Sequence, residues 1–206
     1  MKQGLFITME GPDGSGKSTQ IEAIRKFFED KGEKVIITRE PGGTQISEKI
    51  RNLLLDRENA GMDPVAEALL YAASRAQLVS QVIAPALEDG THVICDRFID
   101  SSIAYQGYGR GLGDSVAIIN AYAVRNCMPD ITFLMKLNPE VGKSRINSAD
   151  QDRIEMEKLD FHNKVFEGYE MLETEYPDRI VGIDATRGIA EISEEIMMHM
   201  ERLFDR

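Results

Sequence analysis

Short apolar runs recur along the chain, separated by longer stretches whose apolar positions fall every three to four residues. The runs over residues 5–10, 34–40, 92–97, 131–137 and 179–184 lack polar alternation, so they predict strands covered on both faces. Between them, residues 18–30 place Ile21, Ile24, Phe27 and Phe28 on one helical face and stop near Gly32. Residues 64–87 give a longer helical pattern through Leu69, Leu70, Ala73, Ala76, Val79 and Ile83, with Pro85 near its end. Residues 154–175 align Leu159, His162, Val165, Phe166, Tyr169 and Leu172, and residues 191–204 align Ile192, Ile196 and Met200. Strands alternating with helices predict an α/β fold: a parallel five-stranded sheet with helices on both faces. No repeat, low-complexity tract or linker interrupts the pattern, so residues 1–206 read as one domain.

Four segments are too glycine-rich or polar to serve packing: residues 11–18, 41–45, 106–114 and 144–153. In a sheet of this kind, loops after the C-terminal ends of strands line the ligand crevice.

Composition narrows the class. Lys plus Arg number 24 and Asp plus Glu 35, a net charge of −11, which disfavours a protein that coats nucleic acid. Phosphate binding must then come from a local concentration of positive charge. Cys95 and Cys127 are too few for a disulfide framework or a zinc site. No apolar run approaches the ~18 residues of a membrane span, and the first apolar stretch is too short for a signal peptide. The expectation is a cytoplasmic enzyme or nucleotide switch without a membrane or nucleic-acid partner.

The strongest chemical signal is Gly11-Pro12-Asp13-Gly14-Ser15-Gly16-Lys17-Ser18, a phosphate loop that follows a strand and opens a helix. Its glycines let the backbone approach phosphate, and successive N–H groups with the helix N-terminus form an anion nest. Lys17 suits the β- and γ-phosphates, and Ser18 suits Mg²⁺. Asp96, closing the apolar run Val93-Ile94-Cys95, suits a water-mediated Mg²⁺ contact, or else a carboxylate paired with its neighbour Arg97. The switch signatures of a GTPase are missing: Asp96-Arg97-Phe98-Ile99 replaces Asp-x-x-Gly, and Asn163-Lys164-Val165-Phe166 is no Asn-Lys-x-Asp. Arg39, Arg51, Arg75 and Arg97 fall at predicted strand ends and crevice helices, which points to a second phosphorylated substrate.

Taken in order, the phosphate loop, Arg39-Glu40-Pro41-Gly42-Gly43-Thr44, Tyr71-Ala72-Ala73-Ser74-Arg75 and Asp96-Arg97-Phe98-Ile99-Asp100-Ser101-Ser102-Ile103-Ala104-Tyr105-Gln106-Gly107 resemble the bacterial thymidylate kinases. The resemblance runs essentially end to end, through Asp152-Arg153-Ile154-Glu155. It implies a phosphate-loop NTPase fold with a short lid over residues 144–153, and ATP-dependent phosphorylation of dTMP to dTDP with Mg²⁺.

Carried over by position, the resemblance implies that Gly11, Asp13, Gly14, Ser15, Gly16, Lys17, Ser18 and Thr19 hold ATP, with Asp13 also accepting from the deoxyribose 3′-OH. Arg39, Arg51 and Arg97 should surround the dTMP phosphate, and Glu40 should support the Mg²⁺ or phosphate network. Tyr71 should stack on thymine, Arg75 should donate to O4, and Ser102 and Gln106 should approach N3. Tyr105 should crowd the sugar C2′ and disfavour ribonucleotides. Some family members carry an arginine within the phosphate loop where this chain has Gly14; the catalytic arginine is then expected from the lid, as Arg145 and Arg153, with Arg153 favoured. Lys17, Arg97 and these two form the expected catalytic set. Family members form dimers through helices, so a homodimer is expected; residues 64–87 are a candidate face, or else their apolar residues pack on the sheet.

Overall fold

The protein is described by a computed structural model covering residues 4–145 and 151–205. The five apolar runs become parallel strands: β1 (Phe6–Glu10), β2 (Val35–Arg39), β3 (His92–Asp96), β4 (Ile131–Lys136) and β5 (Ile180–Asp184). They pair in the order β2-β3-β1-β4-β5, with β1 at the centre. Because successive strand residues face opposite ways, each strand serves two cores. Ile7 and Met9 of β1 join Ile94, Phe133 and Met135 in a core closed by α1 (Lys17–Asp30) and α9 (Ile189–Phe204). Phe6, Val93 and Cys95 face the other way, against Leu78, Val79 and Ile83. A third cluster, around Leu134, Phe161, Val165, Tyr169 and Leu172, seats α8 (Leu159–Glu175) beside β4 and β5.

The helical pattern over residues 64–87 is realised in three pieces rather than one. Regular α3 (Pro64–Leu78) gives way to a widened π-type turn at Val79–Ile83 before α4 (Ala84–Glu88). Pro85 has no N–H to donate four residues back to Gln81, and its ring would crowd that carbonyl; the widened turn accommodates both. Helix α2 (Gln45–Leu55) follows the loop at 41–45, with Thr44 capping it by accepting from the Ser47 N–H. After β3 come α5 (Ile99–Ser102), a second π-type segment Ile103–Gly109, and α6 (Ser115–Val124). Gln106 therefore lies on a helical segment, not in the loop expected over residues 106–114, and Arg110 N–H bonds five residues back to Tyr105. Helix α7 (Pro139–Ser144) follows β4, and α8 starts at Leu159 rather than at residue 154. The expected lid over residues 144–153 lies partly outside the described residues.

The connections out of β1, β2, β3 and β4 all leave from the same edge of the sheet. They bring the phosphate loop, Glu40, Arg97 and α7 to one crevice.

Candidate active site

The phosphate loop owes its shape to glycine where no other residue fits. Gly11 has φ +127°, and a Cβ there would lie 2.5 Å from the Met135 carbonyl of β4. Gly16, at φ +91°, turns the chain into α1, whose first residue is Lys17. The uncapped amides at this helix start border a recess shared with Asp13, Gly14, Gly16, Lys17, Ser18, Asp96 and Arg145. Lys17 is buried, and its Nζ donates to the carbonyls of Gly11 at 3.1 Å and Pro12 at 3.0 Å. Burial and the like charge of Arg97 lower its pKa. Ser15 Oγ is buried without a hydrogen-bond partner, and Thr19 lies exposed on the first turn of α1.

Asp96 closes β3 against the same recess, with Oδ1 buried and lacking a hydrogen-bond partner. An orphaned carboxylate oxygen bordering one recess with the Ser18 hydroxyl is a donor set that fits a hydrated Mg²⁺. Arg39 borders a neighbouring recess with Ser18 and Asp96, exposed and paired with Glu48 at 2.9 Å, away from the other arginines.

A second cavity, about 650 Å³ including its open mouth, joins the first at Asp13. Glu40, Arg51, Tyr71, Arg75, Arg97, Ser102, Tyr105 and Gln106 all line it, so eight of the expected substrate residues converge besides Asp13. Arg51 donates to the Pro41 carbonyl at 3.0 Å. Arg75 is 1% exposed; it donates to Ser102 Oγ at 2.9 Å and the Phe98 carbonyl at 2.8 Å, and pairs with Glu40 at 2.5 Å. Burial raises the Glu40 carboxyl to about 7, against the pull of Arg75. Burial also raises the phenols of Tyr71 and Tyr105, the latter to about 12, so both stay neutral.

Arg97 lines the second cavity and reaches the junction with the first through Asp13. Its backbone sits at φ +66°, and its Nη2 donates to Asp13 Oδ1 at 3.0 Å. Burial would raise the Asp13 carboxyl, but Arg97 and Lys17 outweigh it and hold the group well below the usual carboxylate range. Beneath Arg97 lies Glu10, fully buried, which accepts from Phe98 N–H at 2.7 Å, Ser101 Oγ at 2.6 Å and Tyr169 Oη at 2.8 Å. Burial, then repulsion from Asp100, raises its pKa. Asp100 is in turn gripped by both guanidinium nitrogens of Arg179, at 2.7 and 2.8 Å, which ties α5 to the sheet.

The two lid arginines part company. Arg145 reaches the phosphate loop, donating to the Gly14 carbonyl at 3.0 Å. Arg153 points elsewhere: Nε donates to the Leu54 carbonyl at 2.7 Å, and Nη2 pairs with Glu67 at 2.7 Å. Gly14 itself has φ +76°, and a Cβ there would meet the Gly142 carbonyl at 3.0 Å and Arg145 Cβ at 3.1 Å. Helix α7 and Arg145 thus fill the space into which a larger loop residue would project.

Charged residues that support the lining without belonging to a motif include Glu10, which accepts from Phe98 N–H, and Glu67 and Arg110, which bond to each other beside Gln106. The available signals are a carboxylate closing an apolar strand and another interrupting an alanine- and leucine-rich helix.

The model of the thymidylate kinase family matches residues 9–196. The thymidylate kinase of Clostridium novyi is 48% identical over 200 residues, covering 95% of this chain and 98% of the relative. That of an Exiguobacterium species is 49% identical over 203 residues, covering 97% and 96%. The crystal structure of thymidylate kinase from Ehrlichia chaffeensis superposes with a TM-score of 0.78 at 32% identity, covering 96% of this chain and 99% of that one. With a five-stranded parallel phosphate-loop NTPase fold and likeness along nearly its whole length, the chain belongs to the thymidylate kinase family.

Proposed function

We propose that this protein transfers the γ-phosphoryl group of ATP to dTMP, giving dTDP. The observation that carries this reading is the junction at Asp13, where an anion nest meets a cavity lined by three arginines, two tyrosines and Gln106. Two anionic substrates seated in these cavities face one another across Arg97. The acceptor phosphate has a second pKa of about 6, so at pH 7 it is mostly dianionic and needs no general base. The chain's task is to bring two anions together and neutralise charge spreading over the transferred group. Lys17 and the loop amides serve the donor; Arg51 and Arg97 serve the acceptor. Arg145 lies where the transferred group passes between them.

Ser18 and Asp96 would hold Mg²⁺, which when bound supplies neutralising charge to the β- and γ-oxygens. Arg75 and Gln106 read the base edge, with Tyr71 against its face. The test is an ADP-release assay across nucleoside monophosphates: dTMP should be the preferred acceptor, and preference for AMP, GMP or CMP would sink the reading.

A homodimer fits the surface. Helices α2, α3 and α6 pack side by side and expose Ile46, Leu53, Val65, Leu69, Ile118 and Tyr122, an apolar face suited to a second copy. Light scattering at micromolar concentration should give twice the chain mass, and Leu69→Glu should halve it. No helix among the described residues is long and apolar enough to cross a membrane, and the reading places a nucleotide kinase of this kind in the cytoplasm.

A further inference from the structure

Glu67 is completely buried on α3 and accepts from three side chains at once. Gln106 Nε2 donates to its Oε1 at 2.9 Å; Arg110 donates to both oxygens, at 3.1 and 3.0 Å; Arg153 pairs with Oε2 at 2.7 Å. Hydrogen bonds and charge from these partners outweigh burial and keep the carboxyl below its ordinary value, so it is ionised. An ionised carboxylate can only accept. The amide of Gln106 must therefore turn its NH₂ toward Glu67, whichever way a free glutamine would point, and the group left for the cavity is the acceptor Oε1. Across the same cavity Arg75 holds a buried Nε–H without a hydrogen-bond partner, an unused donor.

A donor beside an acceptor matches a pyrimidine that presents a 4-oxo group beside an N3–H, as thymine and uracil do. Cytosine presents the reverse, an amino group beside a bare N3, and would set donor against donor and acceptor against acceptor. Leaving buried polar groups mispaired is costlier than losing one hydrogen bond.

We infer that Glu67 selects the 4-oxo pyrimidine by locking the carboxamide of Gln106 with its oxygen toward the base. The inference rests on the dTMP reading above and adds to it a positioning residue that touches no substrate. Through Arg153 and Arg110, which also pairs with Glu157, the same carboxylate joins base reading to the chain that follows the lid.

The experiment compares kcat/KM for dTMP, dUMP and dCMP in the wild type, Glu67→Gln and Glu67→Asp. Wild type comes first: failure to prefer dTMP over dCMP overturns the dTMP reading itself, and this inference with it. Glutamine at 67 can donate as well as accept, so Gln106 is free to turn over. The dTMP-to-dCMP ratio should then fall at least about tenfold, mainly through KM, while dTMP-to-dUMP stays unchanged. Glu67→Asp keeps an acceptor-only group and should retain the dCMP discrimination. An unchanged ratio in Glu67→Gln, or equal losses for all three nucleotides, overturns the inference. Should the arginines left unpaired prevent Glu67→Gln from folding, Glu67→Gln with Arg110→Met removes the excess buried charge and carries the same expectation.

Discussion

Arg145 donates to the carbonyl of Gly14 at 3.0 Å, pinning the end of α7 onto the phosphate loop. A guanidinium so placed needs only to swing from a backbone oxygen to a phosphoryl oxygen to act in the transition state. Arg153 would first have to give up a buried carboxylate and the Leu54 carbonyl. Arg145→Ala should therefore lower kcat by about 10³ or more with little change in the KM for dTMP. Arg153→Ala should instead lower Tm and raise that KM, because it leaves buried Glu67 with Arg110 as its one remaining arginine and frees the Leu54 carbonyl, which loosens the cavity wall. Steady-state kinetics with thermal unfolding of both variants checks the division; the opposite pattern would return the catalytic role to Arg153.

Lys17 is a buried charge satisfied by two backbone carbonyls and the nearby carboxylate of Asp13. Removing it costs hydrogen bonds but also removes the desolvation penalty, and the two offset each other. Lys17→Met should reduce turnover by about 10³ or more while Tm moves only a few degrees. Activity assays alongside circular-dichroism melts decide it, and a globally unfolded variant would contradict a purely chemical role.

The legible part of this molecule is the part where one local rule decides. The three inner strands, buried on both faces, show as plain apolar runs. At the sheet edges β2 and β5 are only half-buried, with Ile37 exposed, against the expectation of cover on both faces, yet all five strands lie within about a residue of the expected bounds. The phosphate loop is legible for a related reason: Gly16 is fixed by its backbone angle alone, and Gly11 by its angle together with the close Met135 carbonyl. Helix α2 carries Ile46, Ile50 and Leu54 at a spacing of four, but the Pro41-Gly42-Gly43 turn just before it masks the start. Helix α6 is apolar nearly all round, so it has no stripe to read. The π-type segment that carries Tyr105 and Gln106 falls outside a 3.6-residue pattern altogether. Among site residues, spacing identifies those on motifs, whereas Glu10 and Glu67 act through partners 91 and 39 residues away. The choice between Arg145 and Arg153 turns on that same Glu67.

Glu40 offers a pH test. Its folded pKa of about 7 lies above the ordinary carboxylate value because burial disfavours the charge. Between roughly pH 4.5 and 7 the folded protein holds a proton that the unfolded chain has released. Stability must then fall as pH rises through that window, with a slope approaching about 1.4 kcal/mol per pH unit from this group alone. Glu40→Gln has no such proton, so its stability relative to the wild type should climb from pH 5 to pH 7 and level off above. Paired urea titrations at several pH values measure the difference; a flat difference would mean that Arg75 keeps Glu40 charged throughout.

Tyr105 lines the second cavity on its α8 side. The guanidinium of Arg97 lies 5.3 Å from its ring centre, and edge contacts to Phe161 and Tyr169 hold the ring from behind. A ring fixed on three sides cannot yield to an added hydroxyl, so the expected crowding of C2′ would act against ribonucleotides by exclusion. Tyr105→Ala should raise kcat/KM for ribothymidine monophosphate relative to dTMP by about tenfold, the scale of relieving one steric clash. Tyr105→Phe keeps the ring and should keep the preference for deoxyribose. The comparison separates exclusion by shape from recognition by the phenol: loss of preference in the phenylalanine variant would assign selection to the hydroxyl. An unchanged preference in both would remove Tyr105 from sugar discrimination.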